Sequence, residues 1–300
     1  MPRTLFNSPQ KRWIREFFWL PAIEDFRTRT NQELKYLTFA GPEGHDIDFF
    51  TKGDVFRLEN VRVWERSADA ARALQAKYGL AFQVKIGEAF DLSKAKDERQ
   101  YFPHSIINLD FTNGAFQLSK ARHIPHKFEL VSNIMDAQRE HTQSFMLLLA
   151  FAAAPDVDTD YGKAFVQKVA FDLATRFGHT EPLFNLTRDP KRTYPQTLAA
   201  VIPCAVIRLG TEHYYDTQCL GKALYFPYNT KRTAMLCFKF RLIYDNPPLS
   251  ETSLQISMRM DEIVLRRQQE SLRVSLQNVN NLIRVSKTKR GSPLSTSDLI

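Results

Sequence analysis

Residues 34–114 contain four apolar, strand-like segments, and each of them ends in glycine or acidic residues. A helical pattern follows the second segment, at residues 67–78. Short strands that alternate with helices predict a parallel sheet, whose ligands bind at the carboxyl ends of the strands. The order of these segments therefore predicts an α/β protein with a cofactor site at that edge. The four segments are residues 34–40, 61–64, 81–86 and 105–109.

Length and composition exclude several other classes of protein. A chain of 300 residues makes one large domain or two small ones. The longest apolar run, residues 145–154, is too short to span a membrane, and the first residues lack the apolar core of a secretory signal. The three cysteines lie far apart, without the spacing of a disulfide frame or a zinc knuckle. We therefore expect a cytoplasmic protein with reduced thiols and no membrane segment.

A net charge of +8 favours polyanionic partners, although an ordinary basic enzyme can carry the same charge. A basic loop at residues 120–127 follows the fourth strand segment, so we expect it to border the site. A second basic pair lies in the turn of a predicted hairpin. The candidate nucleic-acid-binding residues are Lys120, Arg122, Lys127, Lys231 and Arg232.

The pattern divides the chain into four parts. Residues 1–33 are predicted to form an N-terminal helical cap that Pro21 kinks or ends. Residues 34–248 are predicted to form the main domain, with a fifth strand, three helices and a hairpin after the alternating unit. Residues 249–290 carry a predicted C-terminal helix, and the Ser/Thr-rich residues 291–300 are expected to be disordered. The later elements are predicted at residues 128–141, 144–154, 165–177, 197–209, 223–226, 235–244 and 258–285, with Pro203 interrupting the helix at 197–209.

This succession resembles the class I S-adenosylmethionine-dependent methyltransferase fold over roughly residues 34–245. The hallmark of that fold is five alternating strands and helices closed by a hairpin whose last strand is antiparallel. The resemblance implies a three-layer α/β/α domain with a mostly parallel sheet and a central first strand. It also implies S-adenosylmethionine as the cofactor.

The resemblance assigns roles to individual residues at the strand ends. Gly41 and Gly44 take the place of the glycine-rich cofactor loop, Glu65 that of the acid on the ribose hydroxyls, and Glu88 that of the acidic turn beside the adenine. The catalytic tetrapeptide of the family falls on the stretch from Asn108 to Phe111. The candidate catalytic residues are therefore Asp110, Asn108 and Phe111.

Two departures from the family pattern keep other functions open. The glycines are three apart with a proline between them, and the tetrapeptide lacks both of the prolines found in enzymes that methylate exocyclic amines. The leading hypothesis is a methyltransferase that acts on nucleic acid. The alternatives are a catalytically inactive methyltransferase-like subunit of a larger assembly and a metal-dependent nuclease. The nuclease hypothesis uses Glu65, Asp69 and the stretch from Gln83 to Lys85.

Overall fold

The computed structural model describes residues 8–79, 82–87, 102–117, 126–178, 190–227, 233–247 and 250–288. Within these ranges, eight strands form one mixed sheet in the order β3-β2-β1-β4-β5-β7-β6-β8. The strands are β1 Tyr36–Thr38, β2 Val61–Glu65, β3 Gln83–Ile86, β4 Ile106–Gly114, β5 Phe145–Ala152, β6 Tyr215–Tyr225, β7 Met235–Tyr244 and β8 Leu276–Asn278. The helices are α1 Pro9–Trp13, α2 Leu20–Thr30, α3 His45–Lys52, α4 Ala68–Tyr78, α5 His126–Arg139, α6 Asp160–Phe177, α7 Pro190–Glu212, α8 Ser253–Arg273 and α9 Val279–Thr288.

The strand order confirms the predicted fold. Strands β3, β2, β1, β4 and β5 are parallel, and β7 is antiparallel to both β5 and β6. This is the arrangement of a class I methyltransferase sheet. Strand β1 lies inside the sheet, because Tyr36 pairs with Val61 on one side and with Ile106 on the other. The direction of the chain across the sheet reverses between β1 and β4, which is where such sheets bind ligands.

Side chains alternate between two helical layers, since successive residues of a strand point to opposite faces. Ile107 and Leu109 of β4 pack in a core with α5, α6 and α7. Ile106 packs in a second core with α1, α2, α3 and α4. Asn108 and Asp110 follow Ile106 in register and therefore face this second layer. Because of this alternation, Asn108 and Asp110 lie on one face of the sheet, and Ile107 and Leu109 lie on the other.

The N-terminal helix runs from Pro9 to Thr30 and contains a π-helical segment, Ile14–Trp19, between α1 and α2. The sequence predicted that Pro21 would kink or end the helix, and the helix does not end there but continues to Thr30. The reason is its position: Pro21 lies in the first turn of α2, directly after the π segment, where a missing N–H is tolerated. The whole segment covers one face of the sheet through Ile14, Phe18 and Ile23.

Helix α7 is uninterrupted, so the predicted break at Pro203 is wrong. A proline in a helix interior removes one backbone hydrogen bond and crowds the preceding turn. Here the turns on both sides of Pro203 are fully buried, with Leu198, Val201, Ile202 and Val206 in the core. Packing against the core therefore keeps α7 helical at Pro203. Helix α6, in contrast, ends where predicted, at Gly178, whose φ of 69° suits only glycine without strain.

The C-terminal region differs from the single helix predicted over residues 258–285. It forms two helices, α8 and α9, separated by β8. Val274 takes an extended conformation, and Leu276 then pairs in parallel with Lys222 of β6. The ammonium of the buried Lys222 donates to the Ser271 carbonyl oxygen at 2.6 Å. Helix α8 therefore ends here because Lys222 binds a carbonyl oxygen in its last turn, and because the chain that follows pairs with strand β6.

A glycine-to-alanine substitution should reveal how closely α6 approaches the strand ends. A Cβ atom at Gly162 would lie 1.8 Å from the backbone oxygen of Phe116. Gly162→Ala in an open helix raises stability by about 0.5–1 kcal/mol, but this contact should reverse the sign and cost roughly 1–3 kcal/mol. Urea unfolding measures the difference. The matched control is Ala164→Gly at an exposed position of the same helix, which should cost about 0.5–1 kcal/mol; a Gly162→Ala variant more stable than wild type would contradict the close approach.

Candidate cofactor and active site

The carboxyl ends of β1 and β4 meet a group of buried charged and polar side chains from four parts of the chain. We refer to it as the strand-end polar cluster. Strand β4 supplies the side chains that the sequence predicted to be catalytic, and the N-terminal helix supplies cations that face them. Its members are Lys11, Arg15, Tyr36, Asp46, Asn108 and Asp110.

Asp110 forms an ion pair with a residue that lies 99 positions earlier in the chain. The ammonium of Lys11 contacts Asp110 Oδ2, and the two side chains are only 16% and 14% exposed. Burial alone would lower the pKa of Lys11, but the carboxylates of Asp110 and Asp46 raise it above its ordinary value. Lys11 is therefore a permanent cation within the cluster.

A second chain of contacts runs beside the first. The Arg15 guanidinium contacts Asp46 Oδ1 at the start of α3. The Asn108 amide nitrogen donates to the Tyr36 hydroxyl at 2.9 Å and lies 3.5 Å from Asp46 Oδ2. Tyr36 and Asn108 are fully buried, and burial together with the nearby Asp46 raises the pKa of Tyr36. The phenol therefore stays protonated, and the network fixes the orientation of the Asn108 side chain.

Several buried oxygens in this region have no hydrogen-bond partner among the described residues. They are Asn108 Oδ1, Asp110 Oδ1 and, from the loop before α3, Glu43 Oε2. A buried polar atom without a partner costs about 1–3 kcal/mol, so such atoms are rare unless a ligand or water binds them. All three are acceptors, so a ligand that bound them would carry hydrogen-bond donors.

The glycine loop between β1 and α3 is a tight turn in which the Gly44 backbone N–H donates to the Gly41 carbonyl oxygen at 2.9 Å. Gly44 has a φ of 59° and caps α3. A Cβ atom at this position would lie 2.4 Å from the Tyr78 hydroxyl. The requirement for glycine at Gly44 therefore comes from its backbone conformation and from the packing of α4. Gly41 lies at the end of β1, in the place predicted for the cofactor loop.

Glu65 ends β2, and the structure brings it next to the turn that follows β3. The Gly87 backbone N–H donates to the Glu65 carbonyl oxygen at 3.1 Å. The indole N–H of Trp64 donates to the Gly87 carbonyl oxygen at 3.0 Å. Glu65 Oε1 accepts the Ser67 N–H at 2.8 Å, which holds the carboxylate at the strand end. The predicted ribose acid thus lies beside the predicted adenine turn, although 22 residues separate Glu65 from Gly87 in the sequence.

Phe111 points to the opposite side of β4 from Asp110 and packs in an aromatic cluster. Its ring stacks on Phe151 with centroids 5.2 Å apart and meets Phe39 edge-on at 5.6 Å. The Lys127 ammonium lies 5.5 Å from the Phe111 ring and donates to the Gly114 carbonyl oxygen. Burial lowers the pKa of Lys127 to about 8, although nearby Asp158 raises it. Lys127 therefore lies against the strand end, with its ammonium largely removed from solvent.

The remaining predicted site residues, Glu88, Lys120, Arg122, Lys231 and Arg232, lie outside the described residues.

The residues that the nuclease hypothesis uses do not form a metal site. The Asp69 carboxylate pairs with Arg72 on the helix surface, and the Lys85 ammonium lies 5.9 Å from the Trp64 ring. In the part of the chain that the structure describes, no group of three or more His, Cys, Asp or Glu side chains could hold a metal ion. Nor does any helix there have the length and apolarity to cross a membrane.

Sequence reasoning missed the cations of this site. Lys11, Arg15, Asp46 and Tyr36 were not among the candidate site residues that the sequence indicated. One signal was available: Lys11 and Arg15 are four residues apart and so lie on one helical face. Their partners could not be found from spacing, because β1, β2, β3 and the helices α2, α3 and α4 lie between Lys11 and Asp110 in the sequence.

No family model and no curated protein sequence matches the chain. Among solved structures, it is similar to a putative transferase from Pyrococcus horikoshii, with a TM-score of 0.37 and 11% identity over 75% of this chain and 64% of that one. It is also similar to a fibrillarin pre-rRNA processing protein from Methanococcus jannaschii, with a TM-score of 0.33 and 10% identity over 72% and 69%. Human methyltransferase-like protein 13, solved in complex with SAH, gives a TM-score of 0.33 and 12% identity over 97% and 98%. At these TM-scores the fold assignment depends on the strand order described above and not on the superpositions.

The lowered pKa of Lys127 predicts how stability changes with pH. The folded state binds the Lys127 proton less tightly than the unfolded state, whose lysine titrates near 10.5. Between about pH 8 and 10.5 the unfolded state therefore holds more protons, and the free energy of unfolding should rise with pH relative to a variant that is always neutral, Lys127→Met. The free energy of unfolding should increase by no more than about 1.4 kcal/mol per pH unit. Urea unfolding of both proteins from pH 7 to pH 10 measures it; a difference that does not change with pH would show that Lys127 is not buried as a cation.

Proposed function

We propose that this protein is an S-adenosylmethionine-dependent methyltransferase that acts on nucleic acid. The observation that carries the proposal is the position of the unpartnered acceptor oxygens. Asn108 Oδ1, Asp110 Oδ1 and Glu43 Oε2 lie at the strand ends of a methyltransferase-type sheet, near the point where its direction reverses. In this proposal Glu43 Oε2 would accept from the ammonium group of the cofactor, and Asn108 Oδ1 and Asp110 Oδ1 would accept from the methyl acceptor.

The side chains at the strand ends fit the separate parts of this cofactor. Glu65 has one oxygen bound to the Ser67 N–H, so its carboxylate is held in place while its other oxygen can accept from a ribose hydroxyl. The turn at Gly87 lies beside it, where an adenine ring would follow the ribose. The loop from Gly41 to Gly44 would face the charged amino-acid end. When bound, the cofactor supplies an electrophilic methyl group.

Little acid–base machinery is needed for methyl transfer, because holding the acceptor in line with the methyl group provides most of the acceleration. Asn108 Oδ1 and Asp110 Oδ1 are acceptors on the same side of β4. They would accept hydrogen bonds from an N–H group and so hold the nitrogen lone pair in a fixed direction. An amine of a nucleobase has the donor atoms that this pair of oxygens can bind.

The charge of the chain supports a nucleic-acid substrate. Its net charge is +8, and Lys120 and Arg122 follow, in the sequence, the strand that carries Asn108 and Asp110. Lysine and arginine side chains bind backbone phosphates and add affinity without sequence information. The proposed substrate class is therefore a polyanion whose phosphates would bind Lys120 and Arg122.

Cofactor binding tests the proposal first. Glu65→Ala should weaken the binding of S-adenosylmethionine by about 1–3 kcal/mol, because a charge-assisted hydrogen bond is lost. Isothermal titration calorimetry measures the change in affinity. The matched control is Glu59→Ala, an exposed acid in the turn before the same strand, which should bind the cofactor as wild type does.

The outcomes of this titration separate the hypotheses. Equal affinity for wild type and Glu65→Ala would remove Glu65 from the cofactor site. A folded wild-type protein that binds neither S-adenosylmethionine nor its demethylated product would favour the inactive, methyltransferase-like subunit.

Salt dependence tests the nucleic-acid substrate. Affinity for DNA or RNA should fall steeply with salt, because each neutralised phosphate releases condensed counterions. Lys120→Ala/Arg122→Ala should reduce the slope of log K against log salt by about two units, one per lost phosphate contact. Fluorescence anisotropy at several salt concentrations measures the slope.

The control for this experiment removes the same amount of charge elsewhere. Lys52→Ala/Lys168→Ala changes two exposed lysines on α3 and α6, far in sequence from the basic loop. It should leave the slope close to that of wild type. If both double variants lower the slope equally, binding depends on net charge and not on a defined site.

A further inference from the structure

The ion pair between Lys11 and Asp110 leaves half of the carboxylate unsatisfied. Lys11 contacts Oδ2, and Oδ1 is buried without a hydrogen-bond partner among the described residues. A pair that served only to stabilise the fold would gain most if both oxygens were bound, since each unmet buried acceptor costs about 1–3 kcal/mol. The arrangement instead fixes the carboxylate by one oxygen and keeps the other available.

The segment that carries Lys11 is firmly attached to the sheet. Ser8 caps α1 by accepting the Lys11 backbone N–H at 3.2 Å. Further along, the Lys239 ammonium donates to the Phe18 carbonyl oxygen at 3.1 Å and lies 4.6 Å from the Phe18 ring. The Phe18 ring also lies 2.9 Å from where a Cβ atom at Gly221 would be. This segment can therefore hold a side chain in a fixed position.

A second contact joins the same segment to the same site. Arg15 lies four residues after Lys11 and contacts Asp46, whose other oxygen lies 3.5 Å from the Asn108 amide nitrogen. Both acceptor-bearing residues of β4 are thus held from the N-terminal side, one directly and one through Asp46. The π-helical turn begins between these two cations, at Ile14, and helices with such turns often occur at functional sites.

We propose that Lys11 is a positioning residue for methyl transfer. It holds Asp110 through Oδ2, so that Oδ1 faces the methyl acceptor and accepts a hydrogen bond from its N–H group. This inference rests on the proposed methyltransferase function and adds to it a residue from outside the methyltransferase-type domain. Lys11 itself remains protonated and exchanges no proton with the substrate.

The test combines Lys11→Met, Lys11→Arg and the charge swap Lys11→Asp/Asp110→Lys. Tritium-labelled S-adenosylmethionine and a mixture of single- and double-stranded DNA and RNA oligonucleotides serve as probes. Lys11→Met should keep the cofactor Kd within about threefold and lower kcat by about 10- to 100-fold, since a small misplacement of a positioning group has an effect of that size. Lys11→Arg should restore most of kcat, because a cation again holds Oδ2.

The charge swap tests whether an ion pair at this place is by itself enough for activity. It restores an ion pair and hence the fold, which urea unfolding verifies, but it places an ammonium where the acceptor oxygen was. We expect the swap to be folded and inactive. A swap variant with activity, or a Lys11→Met variant with the kcat of wild type, would overturn the inference.

A matched control and a separate measurement show whether a negative result contradicts the proposed function or only the role of Lys11. Arg29→Met removes a cation from the far end of the same helical layer, where it pairs with the exposed Asp25, and should not change kcat. If Lys11→Met does not fold, Lys11→Gln, which keeps an N–H donor but no charge, takes its place and is judged by the same comparison of kcat with the cofactor Kd and the free energy of unfolding. A wild-type protein that binds the cofactor but methylates no probe would overturn the proposed function and this inference together. Normal activity in every Lys11 variant would overturn this inference alone.

Discussion

Two buried ion pairs, Lys11–Asp110 and Arg15–Asp46, join the start of the chain to the place where the sheet reverses direction. A buried pair adds little net stability, because the loss of hydration offsets most of the attraction between the charges. Removing one partner, however, leaves an unpaired buried charge, which costs about 3–5 kcal/mol. The pairs therefore determine how the N-terminal helix sits on the sheet more than how stable the protein is.

The side chains at the end of β4 have different surroundings on the two faces of the sheet. Because side chains alternate along a strand, Asn108 and Asp110 face the charged N-terminal layer while Phe111 faces the opposite layer. On that opposite side, Phe151 stacks against Phe111, and Lys127 lies over the ring. Phe111 is therefore already packed in an aromatic cluster on that side.

The sequence by itself determined the parallel part of the sheet, while the resemblance to the methyltransferase fold implied the central position of β1 and the antiparallel β7. The alternation of apolar segments with helices predicted the parallel strands, and the carboxyl-end rule led to Glu65, Asn108 and Asp110. These features could be predicted because they depend on local periodicity and on chirality rules for strand connections, which are visible within a short stretch of residues.

Only the tertiary structure decided which side chains meet. Helix α7 continues through Pro203 because the residues on both sides of the proline are buried in the core. The region predicted as one last helix forms two helices because β8 pairs with the edge of β6. Gly44 is required because Tyr78 packs against it, and Asp110 is held by Lys11 from the N-terminal helix. Each of these outcomes is a contact between residues distant in sequence, and its energy depends on burial and on the position of a partner. Periodicity along the chain carries no information about either.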